Sequence, residues 1–206
     1  MTTVFEIRLK SIKLMENGAI DTNEGSNALG ASLFYPRPGT PGVNSVRAMN
    51  LHDNIGLLFS GKPYDQQVLF KEAVQGKTLL TLEVSAIEKP SRLDKVVSGL
   101  VGTAVSVAVG GAGSAIFGAV AKSLSGSIFD AIGPKKKVAV IARGSLEFSE
   151  DDFPNGGEVT VPFHVPKTIK IRDLKLKNGE PDRSELTLQK NSPNGRIVLE
   201  FHRLPT

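Results

Sequence analysis

The sequence has no cysteine, no tryptophan and few aromatic residues, and each shortage excludes a class of function. Without cysteine, the chain of 206 residues can form neither disulfide bonds nor thiolate metal sites, and it has no cysteine nucleophile. Aromatic residues make up only 6% of the chain. Few of them interleave with the basic stretch at residues 167–177, which disfavours base stacking and single-stranded nucleic-acid binding. We therefore expect no nucleic-acid partner.

Sequence motifs for catalysis are also missing. The patterns HExxH, GxSxG and GxxxxGK[ST] do not occur. The histidines His52, His164 and His202 are isolated from one another, and the last two fall in predicted strands, where a core or surface role is more common than metal ligation. The acidic cluster at residues 150–152 is typical of a solvated loop. We expect a non-enzymatic protein without catalytic residues, cofactor or metal site.

The N-terminal residues lack the continuous apolar stretch of a secretory signal. Residues 1–14, MTTVFEIRLKSIKL, alternate charged and apolar side chains instead. We expect a protein that is cytoplasmic as synthesised, without a cleavable signal, so that any export or membrane association uses a leaderless route. The net charge of +4 mildly favours acidic surfaces, including anionic lipid.

A long uncharged run stands out against this polar background. Residues 96–121, VVSGLVGTAVSVAVGGAGSAIFGAVA, contain no ionisable side chain. Such a run either enters a membrane or is buried against protein. Lysines on both sides would attract an anionic leaflet, and they suit a hairpin whose two ends stay on one side. The expected contacts with an anionic surface are Lys95, Lys122, Lys135, Lys136 and Lys137.

Small residues recur every four positions along the run. On a helix they would form a groove that lets another backbone approach closely, and the series resembles a glycine zipper, a pattern found in membrane helices and in some channel formers. The predicted residues for membrane insertion or helix packing are Ser98, Gly102, Ser106, Gly110, Ser114, Gly118, Phe117 and Val120.

The conformation of the run has two interpretations. Residues 101–110 alternate β-branched and small side chains, which suits a strand as well as a helix. Residues 114–132 have helical spacing, and Gly133-Pro134 supplies a stop. A continuous helix would be about 39 Å long and could cross a hydrocarbon core of about 30 Å. The six glycines of the run weaken insertion, which favours conditional insertion or burial over a permanent anchor.

Outside the run, the sequence predicts antiparallel β structure. Alternating apolar positions and regular turn signals indicate a sandwich or barrel, with a bulge at Gly144 and turns at residues 155–157, Asn178-Gly179 and Asn194-Gly195. The predicted strands are residues 5–15 with a step at Ser11, 29–35, 77–88, 137–149, 158–165, 167–176, 185–189 and 196–203, with weaker candidates at 54–60 and 67–70.

The strands and the acidic loops at Asp21, Asp53 and residues 151–152 loosely resemble a C2-like domain. The resemblance implies a β-sandwich that binds membranes through loops at one end, in many cases with calcium. The aspartates lack the paired Asp-x-Asp spacing of such calcium sites, so we expect no calcium. The predicted fold is mainly β, an antiparallel C2-like β-sandwich with an inserted glycine-rich apolar α-helical hairpin. The expected parts are residues 1–90 and 135–206 for the sandwich and 91–134 for the insertion.

Two functions fit this plan. The first is a non-enzymatic membrane-interacting protein, such as a pore-forming bacterial toxin or effector, whose apolar hairpin inserts into a bilayer and self-associates. The alternative is a soluble structural or interaction protein that uses the same hairpin to pack in an oligomer or on a partner. A β-hairpin that unfurls into a membrane is a third possibility. The expected partners are an anionic membrane surface and a second copy of the chain.

Overall fold

The computed structural model describes residues 3–16, 27–53, 63–87, 138–170 and 187–205. Within these ranges the regular structure is all strand. The strands are β1 (Thr3–Lys13), β2 (Asn27–Pro36), β3 (Asn44–Asp53), β4 (Pro63–Val74), β5 (Thr78–Ile87), β6 (Val138–Phe148), β7 (Gly157–His164), β8 (Ile169–Lys170), β9 (Thr187–Leu188) and β10 (Pro193–Leu204).

Eight of the strands form one antiparallel sheet that is nearly barrel-shaped. Their order is β3-β2-β5-β6-β7-β10-β1-β4, and β8 and β9 form a separate two-stranded sheet. The ladder is thinnest between β6 and β7, where Arg143 opposite His164 is the single paired position. The prediction of a mainly β, antiparallel fold is confirmed. The eight strands are continuous in one hydrogen-bonded order, whereas a sandwich divides its strands between two sheets.

The core lies inside the curled sheet because alternate residues of each strand point inward. On β1 these inward residues are Phe5, Ile7 and Leu9, all almost fully buried. Aromatic rings fill one part of the core, where Phe153 stacks on Phe201 with ring centroids 4.2 Å apart. Phe5 and Phe148 meet Phe201 edge-on, the arrangement that the ring quadrupoles favour.

Most predicted strands are confirmed with small changes at their ends. These strands are β1, β2, β5, β6, β7 and β10, and the predicted step at Ser11 appears as a register shift between Leu9 and Ser11. Strand β3 was missed. It is an edge strand paired only with β2, so its sequence, NSVRAMNLHD, shows little of the alternation that a half-buried strand needs. Of the predicted strand at residues 167–176, the structure describes a strand only at Ile169–Lys170.

The predicted bulge at Gly144 is wrong. The register of β5 with β6 shifts where Val84 opposes Ala142 and Ser85 opposes Val140, so Ile141 is the extra residue. Gly144 stays in register, and a Cβ atom there would lie 2.7 Å from the carbonyl oxygen of Pro162. The glycine is therefore required because β7 crosses closely over β6.

The predicted turn at Asn194-Gly195 is also wrong, because both residues lie inside β10. Asn194 is 1% exposed. Its Nδ2 donates to the carbonyl oxygens of Glu16 at 3.0 Å and Ile141 at 2.9 Å. Gly195 has a φ of +107°, and a Cβ atom there would lie 1.9 Å from the carbonyl oxygen of Lys13. Asn194 therefore joins the start of β10 to β6 and to the segment that follows β1.

Candidate functional site

The predicted insertion lies outside the described residues, together with every lysine predicted to contact an anionic surface. The structure does describe the strands that carry the insertion. Strand β5 ends at Ile87 and β6 begins at Val138, and these two residues are paired neighbours in the antiparallel ladder. Two residues can join such a pair, yet residues 88–137 connect it here. The insertion therefore leaves and re-enters the sheet at adjacent positions.

Several outward-facing side chains of β2 and β5, together with Val140 of β6, are buried. Cross-strand pairs share one face of a sheet, and here Ser32 pairs with Thr81, Phe34 with Leu79, and Ser85 with Val140. We call this surface of β2, β5 and β6 the covered face. It consists of Ser32, Phe34, Leu79, Thr81, Glu83, Ser85 and Val140, each of which is buried.

The same sheet is open to solvent elsewhere on its outer side. On β7 the outward-facing residues Glu158, Thr160, Pro162 and His164 are all exposed. Because the same alternation gives opposite exposure on two parts of one sheet, burial is not a general property of the sheet's outer side.

An ion pair lies within the covered face. Nε of Arg143 on β6 donates to Oε1 of Glu83 on β5 at 2.5 Å, and the two residues are cross-strand partners. The Glu83 side chain is 3% exposed and that of Arg143 is 20% exposed. A carboxylate this buried stays ionised only with a cation and hydrogen bonds to compensate its lost hydration. The pair therefore fixes β5 against β6 beside the junction.

Further interactions reach the covered face. Phe34, Glu83 and Arg143 each make an interaction besides those described above. Ser85 is 0% exposed, and its hydroxyl has no hydrogen-bond partner among the described residues. Buried hydroxyls are normally hydrogen bonded, so this one marks a position where further structure is expected.

Sequence reasoning missed the covered face, although a signal for it was present. Residues 80–86 alternate apolar and polar side chains, but the outward positions at the two ends of this stretch, Leu79 and Ile87, are apolar as well. The alternation of Leu80, Leu82, Val84 and Ala86 identified the inner face correctly. Leu79 on the opposite face was the residue that indicated a second buried surface.

A second polar cluster lies where the two edges of the sheet approach each other. The Tyr35 hydroxyl on β2 donates to Oε2 of Glu72 on β4 at 2.7 Å, and Nε of Arg47 on β3 lies 2.9 Å from Oε1 of the same carboxylate. Burial raises the pKa of Tyr35, and the hydrogen bond to Glu72 raises it further. The charge of Glu72 raises the pKa of Arg47. This cluster links β2 and β3 to β4 and helps to close the sheet.

Of the predicted histidines and acidic loops, the structure describes the side chains of His164, His202 and residues 151–152. His164 is exposed on β7, and Nε2 of His202 lies 3.2 Å from Oε2 of Glu200 on the same strand. The Asp152 carboxylate accepts hydrogen bonds from the backbone N–H and the hydroxyl of Ser149. These bonds stabilise a turn. Among the residues that the structure describes, no group of three or more metal-ligating side chains comes together.

In the described ranges, no helix has the length and apolar character needed to cross a membrane. Comparison with known protein families and with curated proteins found no match to this sequence.

Proposed function

We propose that the protein is a non-enzymatic membrane-interacting protein whose residues 91–134 form a glycine-rich apolar helical hairpin on a C2-like β domain. The hairpin enters an anionic bilayer and self-associates there, as in a pore-forming bacterial toxin or effector. The observation that carries the proposal is the attachment point, since Ile87 and Val138 are paired neighbours on adjacent strands.

The attachment point supports a hairpin more than a single span. Because the chain leaves and returns at adjacent strand ends, the basic residues before and after the uncharged run start from the same side of the sheet. Lys95 precedes the run, and residues 135–137 follow it. Cations on one side of a hairpin favour retention of both ends at the headgroups of an anionic leaflet.

The small-residue series supports self-association in the bilayer. In lipid, helices associate through close packing, and glycine or serine at every fourth position permits it. Ser98, Gly110 and Gly118 belong to this series, and Phe117 and Val120 would face lipid or another helix. The rival function uses the same residues for packing in water, in an oligomer or on a partner protein.

Dye release from vesicles tests the proposal. The full chain should release dye from anionic phosphatidylglycerol vesicles and much less from neutral phosphatidylcholine vesicles. Gly110→Leu should reduce release, because leucine blocks close helix approach. Ala108→Leu is the matched control, since it places a leucine on the opposite side of the predicted helix.

Two results would overturn the proposal. The first is an absence of dye release from anionic vesicles at every pH from acidic to neutral. The second is a Gly110→Leu variant that dissociates an oligomer in solution while the wild-type chain leaves vesicles intact, which is the result that the rival function predicts.

The basic flanks have a separate test. Each lysine near an anionic surface contributes about 1 kcal/mol, so removing one should weaken vesicle binding roughly fivefold. Lys135→Gln, Lys136→Gln and Lys137→Gln should act cumulatively at low salt. Lys190→Gln removes an exposed lysine elsewhere and should change binding little. Equal effects at both places would contradict the assigned contact.

A further inference from the structure

We infer that the covered face is the docking surface for residues 96–121 of the same chain. The inference goes beyond the proposed function, because this packing is needed whether or not the segment later enters a bilayer.

The covered face needs a second layer of structure over it. Phe34, Leu79 and Val140 are 1%, 3% and 6% exposed, and none belongs to the core cluster inside the sheet. Large apolar side chains on the outer side of a sheet become buried when another layer packs over them. Exposed Thr160 on the outer side of β7 shows that the sheet does not bury its outer side by curvature alone.

The segment that occupies the covered face must be long enough to span it. From Leu79 to Ser85 the covered face runs about 20 Å along β5, at about 3.3 Å per residue. Covering that distance takes about 13 residues of helix. Residues 17–26 and 54–62 are too short to do this as a helix, and residues 171–186 carry eight charged side chains. Residues 96–121 are long enough and carry no charge.

Residues 96–121 are attached to the sheet at two strands of the covered face. Residues 88–137 begin after Ile87 of β5 and end before Val138 of β6, and β5 and β6 are two of the three strands of the covered face. A segment attached there reaches the covered face without crossing another strand. The loop-closure cost of docking is therefore small compared with that of a distant segment.

The covered face also matches the small-residue side of residues 96–121. The covered face has the small Ser32 near Phe34 on β2, and the small Ser85 opposite Val140 of β6. A helix with small residues at every fourth position can approach such a surface closely and bury its valines there. The serine and threonine hydroxyls of the segment could also supply the hydrogen bond that Ser85 lacks among the described residues.

Thiol labelling tests the docking directly, because the chain has no natural cysteine. Ser85→Cys places a reporter on the covered face, and Thr160→Cys places the control on the exposed outer side of β7. In the full chain, Ser85→Cys should react at least 100-fold more slowly than Thr160→Cys. Replacing residues 91–134 by a short Gly-Ser turn should remove that protection and leave the Thr160→Cys rate unchanged.

A second measurement keeps the full chain intact and so does not depend on folding of the shortened one. Ser85→Cys is combined in turn with Ser98→Cys, Ser106→Cys or Ser114→Cys, and disulfide formation is measured. Cysteines link readily only when their Cα atoms are about 4.4–6.8 Å apart. At least one pair should form rapidly, and none should form when Thr160→Cys replaces Ser85→Cys.

Three results would overturn the docking. They are rapid labelling of Ser85→Cys in the full chain, protection that survives the replacement of residues 91–134, and protection that disappears on dilution, which would show a second copy as the occupant. Anionic vesicles separate this inference from the proposed function. The two are separated if the double-cysteine variants form the disulfide in solution while the Ser85→Cys variant stays protected from labelling in the presence of anionic vesicles. That result would refute insertion and leave the docking intact.

Discussion

The side chain of Asn194 and the backbone of Glu16 are joined by two hydrogen bonds between residues 178 positions apart. Oδ1 of Asn194 accepts from the Glu16 N–H at 2.8 Å, and Nδ2 donates to the Glu16 carbonyl at 3.0 Å. The same Nδ2 donates to the carbonyl of Ile141 at the bulge of β6. One buried amide on β10 therefore connects the segment that follows β1 with β6.

Asn194→Ala should lower the free energy of unfolding by about 3–5 kcal/mol, because three backbone groups lose their partner at about 1–3 kcal/mol each. Urea denaturation measures the loss. Asn155→Ala changes an exposed asparagine in the turn before β7 and should stay within about 0.5 kcal/mol of the wild type. A loss below about 1 kcal/mol for Asn194→Ala would contradict the assigned role.

Gly144→Ala should destabilise the fold by about 1–3 kcal/mol, since its Cβ atom would lie 2.7 Å from the Pro162 backbone oxygen and force β6 away from β7. Thermal and urea unfolding both report this change. The adjacent Ser145→Ala removes an exposed hydroxyl and should be nearly neutral. Equal stability of the two variants would show that the strands do not need the close approach.

Arg143→Met should lower the free energy of unfolding by about 3–5 kcal/mol, because the buried carboxylate of Glu83 loses its cation. The control is Lys77→Met, which breaks the exposed pair of Lys77 with Glu147, where the side chains are 66% and 53% exposed. Exposed pairs contribute at most about 1 kcal/mol. Adding Glu83→Gln to Arg143→Met should recover part of the loss. If Arg143→Met and Lys77→Met lower the free energy of unfolding by the same small amount, the pair of Arg143 with Glu83 is not buried in solution.

Tyr35→Phe should change how stability depends on alkaline pH. The pKa of Tyr35 is raised above its ordinary 10.0, first by burial and then by Glu72. The unfolded chain therefore loses this proton more readily than the folded chain. The stabilising contribution is complete below about pH 10 and is lost as pH rises through the raised pKa. Wild-type stability should fall more steeply than that of Tyr35→Phe in this window.

Ultraviolet absorbance can follow the phenol itself, because the chain has two tyrosines and no tryptophan. In a Tyr64→Phe background, the remaining signal belongs to Tyr35, and its midpoint should lie above 10 in the folded protein. Glu72→Gln should move that midpoint down, since it removes the charge that opposes ionisation. A titration midpoint unaffected by Glu72→Gln would contradict the hydrogen bond between Tyr35 and Glu72.

The strands that were predicted well are those with local signals. On β1 and β5, apolar side chains at alternate positions report burial on one face, and that alternation is visible in a window of a few residues. Edge strand β3 has polar residues at many positions, and only its pairing with β2 defines it. The Asn194-Gly195 pair has the composition of a turn, but its hydrogen bonds go to residues that are distant in sequence.

The residues predicted for membrane contact, from Lys95 to Lys137, stay a prediction, since they lie outside the described ranges. The structure adds the face beside them. Phe34, Leu79 and Arg143 lie on three different strands, β2, β5 and β6, so no local pattern could have grouped them.

The sequence by itself determined the antiparallel strands, the absence of cysteine chemistry and the position of the uncharged run, because alternation, composition and charge are local properties of the chain. Only the tertiary structure decided that the strands form one curled sheet, that Ile87 lies opposite Val138, and that Phe34, Leu79 and Val140 are buried on the outer side of that sheet. These depend on strand order and register, which arise from contacts between residues far apart in sequence.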